Sequence, residues 1–157
     1  MSTKGDAKVL AHLNEYLSYE LTGHRQYLVH AAMCRNDGLQ RMARIQEAYS
    51  AEETQHAARI LDRILLLGGV AAPREFGPIA GGPTLAAQLA RDHALVAGAI
   101  AHLRAAVGDC EACGDYVSRD LLTEMLDDEE RHLHWLDTEM RLAAQLGEHN
   151  YLQSQMG

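Results

Sequence analysis

Lysine is almost missing from this chain: only Lys4 and Lys8 occur among its 157 residues. No basic tail or stripe is available to grip a phosphate backbone. With 22 Asp plus Glu against 14 Lys plus Arg, the formal charge is −8. That balance argues against nucleic acid and anionic membrane as partners and suits cations. Long apolar runs are missing as well. No segment reaches the roughly 20 residues that a membrane span needs, and the amino terminus has no signal-like pattern, so a cytoplasmic location is expected. Cysteine is scarce: Cys34, Cys110 and Cys113 cannot build a disulfide framework. The lone C-x-x-C of Cys110 and Cys113 lacks the second pair that a zinc site requires, and it reads as reduced, incidental thiols.

Proline is confined to one place. Pro73, Pro78 and Pro83 all fall within residues 68–83, "GGVAAPREFGPIAGGP", which is rich in glycine too. This segment reads as a loop between two helical halves. Before it, helices are predicted from about Asp6 to Asn36 and from about Leu39 to Leu67, separated by the turn "NDG". After it, Thr84 can cap a helix running to Cys113, Gly114 breaks it, and another runs from Tyr116 to Leu146. Gly147 stops that helix and leaves "EHNYLQSQMG" as a short fifth. Short turns make each pair antiparallel, and a 16-residue crossover is long enough to run the length of a bundle. No strand pattern appears. The expectation is an all-α single domain over residues 1–157: a four-helix bundle with one long crossover and a short carboxyl-terminal helix.

The second helix carries an anomaly. Its apolar stripe runs Met42, Ile45, Tyr49, Glu53, His56, Ile60, Ile64, Leu67, with a carboxylate and an imidazole at the centre. The fourth helix repeats it: Leu122, Met125, Glu129, His132, Leu136, Met140, Ala143. The first helix places Glu20 on the stripe Val9, Leu13, Leu17, Glu20, Tyr27, Ala31. Each glutamate lies about 14 residues into its helix, and antiparallel helices of similar length are level at their midpoints. Buried carboxylates that converge repel one another and cost several kcal/mol each unless a cation neutralises them. A set of oxygens with two imidazoles suits divalent transition metals. One Glu-x-x-His alone is usually a solvated face. Two copies with a level third glutamate reverse that reading.

The segments "KGDAKVLAHLNEYLSYEL", "QYLVHAAM", "EETQHAARILDRILLLGG", "DEERHLHWLDTE" and "NYLQSQ" resemble bacterioferritins and the related non-haem bacterial ferritins almost end to end. The resemblance implies a ferritin-like fold, a hollow shell of twenty-four subunits, and oxidation of Fe(II) by oxygen or peroxide at an intrachain di-iron site. It implies Glu20, Glu53, His56, Glu129 and His132 as iron ligands, with Tyr27 beside them. It implies a ferredoxin-type reductant for release of the stored iron.

Two positions depart from the family pattern. The third helix should supply a sixth ligand, a glutamate, but the level position is Val96. Asp92 and His93 lie a turn away, about 6 Å along the axis, and neither is a ready substitute. The implied site is lopsided. Where bacterioferritin carries a haem-ligating methionine stands Thr54, so the bis-methionine haem site is expected to be absent; His24 and Arg25 border that place. The other histidines (His12, His30, His93, His102, His134, His149) read as surface or interface groups. Glu47 and Glu52, near the site, either guide iron or form an ordinary solvated face. Against an iron-storing subunit with attenuated ferroxidase activity stands one main alternative: a structural subunit of a mixed shell, completed by a second bacterioferritin chain. A free-standing oxidase is disfavoured by the match through "NYLQSQ".

Overall fold

A computed structural model describes residues 4–79 and 81–157. It contains α1 (Ala7–Asn36), α2 (Gln40–Leu66), α3 (Leu85–Cys113), α4 (Tyr116–Leu146) and α5 (Glu148–Ser154), with no strand among the described residues. The starts of α1, α3 and α4 are set by side-chain caps. Asp6 accepts from the backbone N–H of Lys8 at 2.8 Å, Thr84 from that of Ala87 at 3.1 Å, and Asp115 from that of Ser118 at 3.0 Å. Gly38, with φ of 80°, sits in the α1–α2 turn, and Gly114, with φ of 77°, ends α3; both adopt a left-handed conformation that a Cβ would strain.

α1 packs on α2 and α3 packs on α4, with α1 and α3 in contact between the pairs. The crossover is laid along α1. The Asn14 side chain donates to Val70 O (3.0 Å) and accepts from Ala72 N (2.6 Å), Ser18 Oγ accepts from Arg74 N (2.9 Å), and Phe76 meets Tyr19 edge-on. α5 closes the far end. Tyr151 is buried and donates to Glu139 Oε2 at 2.6 Å, while Arg41 N donates to Gln155 O. No described helix is long and apolar enough to cross a membrane.

The apolar core falls into two clusters. One gathers Leu13, Leu17, Ile60, Ile64, Leu103, Leu122 and Met125; the other gathers Cys34, Met42, Leu89, Val96, Ile100 and Leu136. Burial of each large aliphatic chain contributes about 1.5–3 kcal/mol. On α1, α2 and α4 the gap between the clusters is filled by charged and imidazole side chains. On α3 it is not: Val96, Ala99 and Ile100 carry apolar surface straight through that level.

One expectation needs correction. His30 is not a surface or interface group but fully buried, at 0% exposure. It stands on the inner stripe of α1 between Tyr27 and Cys34, with Nδ1 3.0 Å from Asp92 Oδ1. Asp92, also at 0%, takes Gln26 Nε2 at 2.7 Å and Gln46 Nε2 at 2.8 Å. A buried carboxylate needs such donors, and this one draws them from α1 and α2.

Candidate metal centre

The site is built where the helix midpoints meet. Ligand-type atoms of Glu20, Glu53, His56 and Glu129 all lie within 4.8 Å of one another, and all four side chains are buried. Both Glu20 oxygens and His56 Nδ1 have no hydrogen-bond partner among the described residues. His56 Nδ1 lies 3.4 Å from Glu20 Oε2. Unpaired buried polar atoms are costly, and these three, beside the carboxylates of Glu53 and Glu129, form a cradle for a cation.

Electrostatics agree. Burial pushes the Glu20, Glu53 and Glu129 carboxyls well above the usual carboxylate range, and their mutual repulsion adds to it. Without a cation the cluster therefore holds protons. Tyr16 donates to Glu129 Oε1 at 3.2 Å, and its own phenol is raised by burial and the adjoining carboxylates.

The imidazoles differ. His56 spans the wall of the site: Nε2 lies 3.1 Å from Asp128 Oδ2 and 3.8 Å from Glu52 Oε1. The carboxylate favours a proton on Nε2, which leaves the Nδ1 lone pair facing the cluster. His132 is not among the converging atoms. Its ring lies flat on Tyr49, with Tyr27 edge-on at 5.3 Å, and its Nε2 is buried without a partner among the described residues. Burial lowers its pKa to about 4, against the pull of the Asp92 charge.

Of the residues expected from the sequence, Glu20, Glu53, His56 and Glu129 are brought together, Tyr27 borders them, and His132 stands apart. Val96 faces a closed seam with Tyr27, Glu53 and Glu129, too narrow for a water molecule. Asp92 is engaged in the amide and imidazole network described above. His93 pairs with Asp137 at 2.9 Å, away from the cluster. Thr54 is exposed, with Oγ1 2.9 Å from His24 Nδ1, so both groups are spent joining α1 to α2. Four contributors escaped the sequence reading: Asp128, Tyr16, Tyr49 in its stacking role, and Gly23. A Cβ on Gly23 would come within 2.9 Å of Glu53 Oε2, so the glycine makes room for that carboxylate. Only a glycine inside a strongly helical stretch hinted at it.

A four-helix bundle with three carboxylates and an imidazole converging at its centre defines a bundle-core metal-binding protein. Comparison with known proteins narrows this. Residues 10–146 match the family model described as ferritin-like domain. The chain is 38% identical to the bacterial ferritin of Synechocystis sp. over 98% of its own length and 99% of that protein's. It is 37% identical to the bacterioferritin of Mycobacterium leprae, covering 94% and 93%, and 37% identical to the bacterial ferritin of Pseudomonas aeruginosa, covering 98% and 99%. The chain belongs to the ferritin-like family.

Proposed function

We propose that this chain is a subunit of an iron-storing shell, taking up Fe(II) as its substrate at the buried cluster of Glu20, Glu53, His56 and Glu129. The convergence of four ligand-type atoms, with both Glu20 oxygens unpaired, carries this reading. The relatives are named as ferritins, and near-complete coverage of their length favours the same use here.

The residues act through charge and protons. An arriving cation displaces protons from the three carboxyls, which then neutralise it. Asp128 holds the Nε2 proton of His56 and so keeps Nδ1 free for the cluster. Glu53 and Glu129 would be the carboxylates available to two cations, Glu20 and His56 would complete the first position, and His132 would serve the second only by leaving its stack on Tyr49. Oxidation of two Fe(II) by dioxygen removes one electron from each iron. Dioxygen takes up both electrons with two protons and leaves as hydrogen peroxide. Two irons held together make that transfer concerted. With Val96 supplying no ligand and His132 displaced, the second position is weak and oxidation by the pure protein is slow.

A second reading is favoured by the same Val96: a structural subunit in a mixed shell whose partner chain carries the intact centre. Loading the purified protein with Fe(II) in air tests the first reading. Soluble ferric iron should accumulate well beyond one ion per subunit. If iron instead precipitates as it does without protein, the storage reading of the pure chain fails. Mass spectrometry of shells from the native cell separates pure from mixed assembly.

A further inference from the structure

His132 stands one turn beyond Glu129 on the same face of α4, so the helix itself delivers it towards the carboxylates. It is nonetheless absent from the group of atoms that converge. The ring lies on Tyr49 with centroids 3.6 Å apart and planes 9° from parallel. Its other aromatic neighbours touch it differently. Tyr27 meets it edge-on at 5.3 Å and 67°, and Trp135 is tilted at 6.0 Å and 39°. Only Tyr49 covers a whole face of the imidazole at van der Waals distance. His132 Nε2 has no hydrogen-bond partner among the described residues, so no polar contact of that atom accounts for where the ring sits.

We infer that Tyr49 is a positioning residue whose ring holds His132 out of the carboxylate cluster and thereby, together with Val96, governs whether a second cation binds. The inference rests on the reading that the cluster takes up metal. Tyr49 is fixed independently of any cation. It is half-buried on α2, one turn before Glu53, and it also meets Tyr27 at 6.3 Å and Trp135 at 5.4 Å. The second position has Glu53 and Glu129 to share but no ligand from Val96. His132 is then its one available terminal ligand, and the stack withholds it. A face-to-face contact depends on the ring and not on the hydroxyl. Phenylalanine should therefore keep the hold, and a side chain without a ring should release it.

The test uses crystals of the native protein and of the variants Tyr49→Phe, Tyr49→Leu and Tyr49→Gln, grown with Zn(II) as a redox-silent divalent cation. Anomalous scattering locates the metal. The native protein and Tyr49→Phe should show one strong peak, on Glu20, Glu53, His56 and Glu129, with His132 off the metal. Tyr49→Leu and Tyr49→Gln should show His132 swung onto a second peak shared with Glu53 and Glu129. The inference is overturned if His132 ligates metal in the native protein, if it stays in place in both ringless variants, or if Tyr49→Phe behaves as they do. No peak at the first position in any of the four proteins would remove the metal reading itself. That result is distinct from a filled first position beside an unmoved His132, which removes only the role of Tyr49.

Discussion

Three carboxylates buried within reach of one another pose a problem of charge at the scale of single side chains, and pH exposes it. In the metal-free protein the Glu20, Glu53 and Glu129 carboxyls are raised above 4.5, so the native state binds more protons than the unfolded chain. Their contribution to stability is therefore full below about pH 4.5 and is lost as pH rises through the raised values. His132 acts oppositely. Its pKa is lowered from 6.5 to about 4, so its contribution is lost as pH falls through that window. Glu53→Gln isolates the carboxylate effect. Without metal at pH 7 the variant should melt several °C higher than the native protein, because an uncharged amide replaces a carboxyl whose charged form burial and Glu20 disfavour, and at pH 4.5 the two should converge. With Zn(II) the order should reverse, because the variant has lost a charged ligand. Thermal melts at both pH values, with and without metal, check all three arms.

Val96 poses the complementary case, a charge that is missing. Val96→Glu should add a ligand facing Glu53 and Glu129 across the closed seam. Without metal it should destabilise by several kcal/mol, as a buried unpaired carboxylate does, and with metal most of that loss should vanish. Stopped-flow oxidation at two Fe(II) per subunit should gain a fast phase that the native protein lacks. A full fast phase in the native protein, or no gain in the variant, would sink the lopsided reading. Val96 and the two Glu-x-x-His pairs were legible in the sequence because periodicity places them on faces. Asp128 and Tyr16 were not. Their roles depend on how far neighbouring helices are rotated and shifted, and a one-dimensional pattern does not carry that.

Whole elements were legible where a local signal marks them. Thr84 caps α3, Gly114 and Gly147 end two helices, and the crossover announces itself through its prolines. What the sequence hid is how α3 is held in register with the other pair. His30 was misread because a single histidine looks like a surface group, although it shares the inner stripe with Tyr27 and Cys34. Its partner Asp92 lies on α3, with Gln26 of α1 and Gln46 of α2 on its two oxygens. This buried hub ties three helices one turn from Val96. Asp92→Ala should leave the amides of Gln26 and Gln46 without an acceptor and remove the carboxylate that lies 3.0 Å from His30 Nδ1. The expected loss is about 3–5 kcal/mol, on the order of 10 °C in Tm. Asp92→Asn, which retains one acceptor oxygen, should lose less. Equal loss in both would show that charge, and not hydrogen-bond acceptance, is what the hub requires.

For the molecule as a whole, the question is what covers its exposed apolar surface. At the end of the bundle where α2 finishes and α4 begins, Leu65 is 61% exposed, Leu66 60%, Tyr116 55% and Val117 63%. The ends are clamped together there, since Arg63 donates to Ser118 Oγ at 2.9 Å and to Asp115 Oδ1 at 2.8 Å. Large side chains on a rigid end suit contacts with further copies, in keeping with the proposed shell. Light scattering on the purified protein should then report a particle about twenty-four times the 17.3 kDa chain. Val117→Asp introduces a charge that an interface would have to desolvate, whereas on an exposed surface it costs little. The variant should keep the helical content and near-native melting of the single chain yet assemble into smaller species. Native-size shells from Val117→Asp would remove this end from the contact surface. A native protein found only as monomers or dimers, with iron supplied, would remove the shell.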